Sequence, residues 1–146
     1  MTLLIAGCAE GRLYPVRGPL STESPLPVLN AKMSAGTHSG NITATLAGGE
    51  KGTGRWQWAK PESPSAEKSD GATSESMASV WDAVYGQTFY VAHVLGKLMA
   101  RAEVNGDGGT HLQMEMYRPV GEGGDVPVNF RGVARDNKGN IYKVMF

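Results

Sequence analysis

The sequence predicts a mainly β domain, an antiparallel meander that forms a β-sandwich or a partly open barrel with one amphipathic α-helix. Twenty glycines and eight prolines divide the 146 residues into short segments, which favours short strands over long helices. Many of these segments alternate apolar and polar residues, which is the period of a half-buried strand. About eight such segments are available, and sequential pairing is the simplest topology for them.

Several strands are clear from alternation alone. In "GNITATL" the residues Ile42, Ala44 and Leu46 fall on one face, as expected for a half-buried strand. The segments "KLMARAEV", "THLQMEMY" and "NIYKVMF" repeat the pattern, and the turn sequences "NGDGG" and "NKG" provide hairpin turns. The residues predicted to share the inward face are Leu98, Ala100, Ala102 and Val104 in the first segment, Leu112, Met114 and Met116 in the second, and Tyr142, Val144 and Phe146 in the third. The strongly apolar "TFYVAHVLG" is interpreted as a further strand that contains His93.

One segment has helical periodicity. In "SESMASVWDAVYG" the apolar residues recur at the spacing of one helix face, and they are Met77, Val80, Trp81, Val84 and Tyr85. We therefore predict a helix over about residues 74–85, in which Ser74 caps the start and Gly86 ends the last turn.

The composition divides the chain into three parts. Residues 1–7 are interpreted as the end of a signal segment, and residues 8–25, which are rich in proline, as an extended tether. Residues 26–146 then form a single β-rich domain. Within it, residues 60–73 contain proline, serine and charge without a large apolar side chain, so we expect a mobile surface loop.

The start of the chain contains its only cysteine. Leu4, Ile5, Ala6 and Gly7 lead directly to Cys8, and this order of two aliphatic residues, two small residues and cysteine resembles the bacterial lipobox. The resemblance covers these five positions. It implies cleavage before Cys8 and acylation of Cys8, and in this respect the chain resembles the small, poorly characterised lipoproteins of the Gram-negative envelope.

This resemblance implies a location. Ala9 follows the cysteine where an aspartate would signal retention in the lipoprotein sorting pattern, which implies the periplasmic face of the outer membrane. A single thiol rules out an intrachain disulfide, and the absence of other thiols suits an oxidising compartment. The alternative is that Leu3 to Ala6 form a frayed end or an edge strand and that Cys8 is an ordinary small apolar residue.

Charge and hydropathy exclude two classes of function. Lys plus Arg equal Asp plus Glu at 14 each, so the chain lacks the basic excess of a nucleic-acid-binding protein. No segment approaches the roughly 20 apolar residues of a membrane-spanning helix, so we expect a soluble body. The histidines lack metal-ligand spacing, and the sequence predicts neither a metal site nor a cofactor.

Trp56 and Trp58 are the candidate binding residues. Two positions apart on a strand, they point to the same side, where paired indoles stack on sugar rings or a peptide. Arg55 lies beside them and would add a polar contact. The alternative interpretation is that both indoles pack in the core.

Two classes of function remain. In the first, the chain is a non-catalytic envelope lipoprotein that contacts a protein, peptidoglycan or a polysaccharide through a strand edge or the two indoles. In the second, it is a small hydrolase-like enzyme that pairs His93 or His111 with a carboxylate of Glu103, Glu115 or Asp82. We favour the first class and assign no catalytic residue, because each candidate also suits an ordinary surface or turn position.

Overall fold

The chain folds into a closed antiparallel β-barrel of eight strands in sequential order, in which the first strand pairs with the last. A computed structural model describes residues 8–34, 39–59, 76–117 and 130–146. The mainly β class and the antiparallel meander with one helix are confirmed. The architecture is a closed barrel rather than a sandwich or a partly open barrel.

The eight strands follow one another in chain order around the barrel. The strands are β1 (Cys8–Arg17), β2 (Leu29–Ser34), β3 (Ser39–Thr45), β4 (Lys51–Ala59), β5 (Met99–Gly106), β6 (His111–Tyr117), β7 (Arg131–Asp136) and β8 (Ile141–Met145). The helix α1 (Met77–Tyr85) lies between β4 and β5 and is followed by one π-helical turn, Tyr90–Val94. Two short 3-10 turns, Pro19–Thr22 and Ala47–Gly49, complete the described elements.

The barrel interior is filled by one apolar cluster. The alternating residues predicted to face inward on β3, β5, β6 and β8 do so: Ile42, Ala44, Leu46, Ala100, Ala102, Val104, Leu112, Met114, Met116, Tyr142 and Val144. Leu98, assigned to the same face, lies just before β5 and is 57% exposed. Small side chains on β3 and β5 leave room for larger ones such as Trp56 and Met114, which gives the close packing of a native core.

Helix α1 packs on the outside of the barrel against β7 and β8. Its apolar face forms a second cluster with outward side chains of the sheet, including Met99, Val133 and Ile141. The helix begins at Met77, and the hydroxyl of Ser76 accepts a hydrogen bond from the Ser79 amide at 3.2 Å. Ser76 is therefore the N-cap, rather than Ser74, which lies outside the described residues.

The proline-rich segment 8–25 differs from the predicted tether. Residues 8–17 instead form β1, which pairs with β2 on one side and with β8 on the other. Ala9 and Leu13 are buried and Glu10 is exposed, so the segment has the alternation of a strand. Pro15 lies where the register with β8 shifts, a position at which a missing amide donor is tolerated.

The segment "TFYVAHVLG" also differs from its prediction. It contains a π-helical turn, Tyr90–Val94, instead of a strand. Tyr90 and Val94 are buried, whereas the three residues between them, His93 included, are exposed. This four-residue repeat is helical, and the high apolar content of the segment masks it.

Two predictions lie outside the described residues. These are the signal segment, residues 1–7, and the mobile loop, residues 60–73. Within the described part of the chain, no helix has the length and apolar character needed to cross a membrane.

Candidate functional site

The two tryptophans of β4 point into the barrel. Trp56 is 1% exposed, and its indole N–H donates to the carbonyl oxygen of Ser34 at 3.0 Å. Trp58 is half-buried, and its ring meets those of Trp56 and Phe130 edge to face, each at 5.7 Å between centroids. The buried Trp56 indole is therefore an element of core packing.

Arg55 lies on the opposite side of the same strand. It is exposed, and one guanidinium nitrogen lies 3.5 Å from the hydroxyl of Ser39. Because adjacent strand residues point to opposite faces, Arg55 and the neighbouring indoles do not share a surface. The structure thus does not bring the three predicted binding residues together.

Cys8 is the first residue of β1 and pairs with Ser34 at the end of β2. The predicted acylation position therefore belongs to the barrel itself. No linker separates Cys8 from the sheet, since residue 9 is already a buried strand residue.

The two candidate histidines have neutral neighbours. The Nδ1 atom of His111 lies 2.7 Å from the side-chain oxygen of Asn105. His93 is exposed, and its ring lies 4.7 Å from that of Phe89. Among the described residues, the structure shows no hydrogen bond between either imidazole and a candidate carboxylate.

The candidate carboxylates mostly occupy structural positions. Asp82 accepts a hydrogen bond from the Tyr90 amide at 2.9 Å, which joins α1 to the following turn. Glu115 is 3% exposed under the helix and accepts from Trp81 and Arg101. Glu103 is exposed on β5. No group of three or more His, Cys, Asp or Glu side chains suited to a metal ion occurs in the described part of the chain.

The outer surface of the barrel has two unlike sides. Helix α1 covers β7 and β8, whereas the outward side chains of β1 to β4, which we name the β1–β4 face, carry charges, hydroxyls and amides. Two adjacent shallow depressions on this face share Asn30 and Lys32. The other polar side chains that line them are Glu10, Arg12, Thr43, Thr45, Lys51 and Thr53.

Strand register places part of this face in one row across the sheet. Arg12 pairs with Asn30, Asn30 with Thr45, and Thr45 with Lys51. On the other side of β1 the row leaves the β1–β4 face and continues through Met145 of β8 to Arg131, the first residue of β7. We name this the cross-strand row. It has an exposed cation on β1, β4 and β7.

The β1–β4 face has an excess of positive charge. It carries one carboxylate, Glu10, and five cations, Arg12, Arg17, Lys32, Lys51 and Arg55, which gives a local net charge of +4 in a chain of net charge 0. Glu10 lies 3.5 Å from the ammonium of Lys32. Within the described residues, neither the Arg12 nor the Lys51 side chain has a carboxylate at ion-pair distance, although the Asp107 carboxylate accepts a hydrogen bond from the backbone amide of Lys51 at 3.2 Å.

The closed barrel changes how a partner would be contacted. Because β1 pairs with β8, the eight described strands leave no free edge. A contact through an exposed strand edge, one of the two modes expected from the sequence, is therefore excluded for these strands. Contacts with a partner depend on side chains.

Residue motifs alone do not reveal the β1–β4 face, because its residues come together only through the pairing of the strands. Most exposed positions of these strands are polar, although Val16 of β1 is not. The pairing register that makes the strands neighbours is unknown from the sequence. Only the register shows that Arg12 and Lys51 belong to one row.

Comparisons with models of protein families, with curated proteins and with solved structures give no significant match. The inferences about function below therefore depend on the side chains of the barrel and on the residues around Cys8.

Proposed function

We propose that the chain is a non-catalytic interaction module of the bacterial cell envelope. It is held to the periplasmic face of the outer membrane by acyl chains on Cys8, and it contacts its partner through the β1–β4 face. The observation that carries the proposal is the asymmetry of the outer surface: α1 packs over β7 and β8, whereas the β1–β4 face is polar, cationic and uncovered by other described elements.

The packed interior supports an external site. A barrel that holds a ligand in its interior encloses a cavity. Here, side chains such as Trp56, Met114 and Met116 fill the interior. Binding would therefore occur on the outside. The order Leu4 to Cys8 supports the anchor, and two or more acyl chains hold a protein firmly at a bilayer.

Intact-mass spectrometry tests the anchor. We would compare the membrane fraction of the native host with that of a Cys8→Ser variant expressed from the full upstream locus. The expected result is an acylated N-terminus at Cys8 that the variant lacks. An unmodified chain in the soluble fraction that still begins at Met1 would overturn the anchor.

Photo-crosslinking tests the face. A photoreactive side chain at Thr43, in the centre of the β1–β4 face, should give a discrete crosslinked species in intact cells. The same group at Gln87, which is exposed just after α1, serves as the matched control. Equal crosslinking at both positions, or none at Thr43, contradicts a binding role for this face.

A further inference from the structure

We infer that the β1–β4 face binds an acidic polysaccharide, a polymer of sugars that carry carboxylates, lying across the strands along the cross-strand row. This inference rests on the proposed function, since it names the partner of the same face. Three features carry it: the spacing of the cations, the neutral side chains between them and the convex shape of the closed barrel.

The spacing of the cations suits a polymer that carries several anionic groups along its length. Neighbouring strands lie about 4.8 Å apart, so Arg12 and Lys51, whose strands are separated by β2 and β3, have backbones about 14 Å apart along the surface. Arg131 and Arg12, with β8 between them, are about 10 Å apart. An anionic chain that follows the row meets separate cations in turn rather than one compact cluster.

The side chains between Arg12 and Lys51 are those that bind sugar hydroxyls, whereas Met145, between Arg12 and Arg131, is apolar and 41% exposed. Asn30 and Thr45 stand between Arg12 and Lys51 within the row, and Thr43 and Thr53 stand beside it. Amide and hydroxyl groups both donate and accept hydrogen bonds. Two neutral hydrogen-bonding groups between two cations suit a ligand in which hydroxyls separate the carboxylates.

A polymer suits this face better than a small acid. Single exposed charge contacts contribute little, since water and salt screen them. The depressions are shallow and lie on the outside of a barrel, so a small ligand would be poorly enclosed. A polymer that makes several such contacts at once gains from their simultaneous engagement.

An acidic protein segment is the competing occupant, and the fold disfavours its simplest mode of binding. Peptides commonly add as a strand to an open sheet edge, which the closed barrel does not offer. The polysaccharide needs only side-chain contacts, and the face supplies these.

The test uses the full chain and labelled oligogalacturonate as the probe, with dextran oligomers of equal length as the neutral control. Fluorescence anisotropy should show binding of oligogalacturonate, weaker binding as salt is raised, and at most weak binding of dextran. Equal affinity for dextran, or no binding of oligogalacturonate at low salt, overturns the inference.

Variants of the cations test whether oligogalacturonate binds along the cross-strand row. Arg12→Gln and Lys51→Gln should each weaken oligogalacturonate binding about two- to fivefold, and the double variant by about the product, because the sites are far apart. Lys97→Gln removes an exposed cation of the segment before β5 and is the matched control, expected to bind like the unmodified chain. An equal loss in the control would indicate non-specific attraction and overturn the placement.

Polyglutamate, used as a second probe, distinguishes an acidic protein segment from an acidic polysaccharide. If it binds as tightly as oligogalacturonate and responds equally to Arg12→Gln, the face recognises acidic polymers in general and the polysaccharide assignment fails. The proposed function is tested separately, since the acylation of Cys8 and the crosslinking at Thr43 do not depend on which polymer binds.

Discussion

The indole nitrogen of Trp81 donates a hydrogen bond to one carboxylate oxygen of Glu115 at 3.1 Å, and this bond links α1 to the outer face of β6. Trp81 is fully buried and Glu115 is 3% exposed. Arg101 on β5 donates to the other carboxylate oxygen at 2.8 Å. A buried carboxylate requires such partners, so this contact fixes the position of the helix on the barrel.

Replacing the Trp81 indole, which donates to a buried carboxylate, should therefore lower the free energy of unfolding more than removing a donor of α1 that bonds to a neutral carbonyl. We expect Trp81→Phe to lower the free energy of unfolding by about 2–3 kcal/mol, because the buried carboxylate loses a donor and the smaller ring leaves space. Tyr85→Phe removes a neutral bond from the Tyr85 hydroxyl to the carbonyl of Gly132 and should cost about 1 kcal/mol. Urea unfolding followed by circular dichroism measures both, and equal losses would contradict the role of Glu115.

Tyr85 also predicts the behaviour of the barrel in alkali. Burial, with a smaller effect of Tyr117, raises the pKa of Tyr85 from 10.0 to about 12. A group whose pKa is raised in the folded state contributes stability that is fully present below the unfolded pKa. This contribution is lost as the pH rises through the folded pKa. We therefore expect stability to fall between about pH 10 and pH 12.

Tyr85→Phe should lose less stability over this interval, because it has no proton to release. Tyr14→Phe, on the outer side of β1, is the control and should follow the unmodified chain. The measurement is the free energy of unfolding in urea at a series of alkaline pH values. A Tyr85→Phe variant with the full alkaline loss would exclude this residue as the cause.

For Glu50 we expect the opposite dependence of stability on pH, with a loss in acid rather than in alkali. Its carboxylate connects the turns at one end of the barrel. It accepts from the Thr110 hydroxyl at 2.6 Å and from the Gly108 amide at 2.8 Å, and Lys138 lies 4.0 Å away. The hydrogen bonds from Thr110, more than the charge of Lys138, lower the pKa of Glu50 below 4.5. Its stabilising contribution is present above the unfolded pKa and is lost as the pH falls through the folded pKa.

Glu50→Gln should therefore be less stable than the unmodified chain at neutral pH, and the difference should shrink in acid below pH 4.5. Glu23→Gln is the control, because Glu23 is exposed and the described residues give its carboxylate no hydrogen bond. Urea unfolding at a series of acidic pH values measures the difference. A constant difference between Glu50→Gln and the unmodified chain would show that the charge of Glu50 does not matter.

Much of the fold is predictable from local patterns. The strands around Ile42, Ala102 and Met114 have a period of two, which survives any tertiary context because one face must be buried. The helix around Trp81 has a period near four for the same reason. Both kinds of pattern predict most of the buried face, because that face depends on spacing, and Leu98, just before β5, is an exception at 57% exposed.

The rest depends on contacts between distant segments. Pairing of Leu13 with Val144 closes the barrel, and nothing local to either segment indicates it. The segment from Cys8 to Arg17 looks like a tether because of Pro15, yet strands on both sides stabilise it. The cross-strand row is hidden for the same reason, because Arg12 and Lys51 become neighbours only through the register of the strands between them.

Gly54 provides the sharpest test of that register. A Cβ added at Gly54 would collide with the carbonyl oxygen of Glu103 on β5, and this backbone cannot move without breaking the β4–β5 ladder. We expect Gly54→Ala to lower the free energy of unfolding by about 3 kcal/mol. Gly48→Ala has open space but a positive φ of 74°, so it should cost about 1 kcal/mol through backbone strain alone. Equal effects in urea unfolding would mean that β4 and β5 are not paired at Gly54.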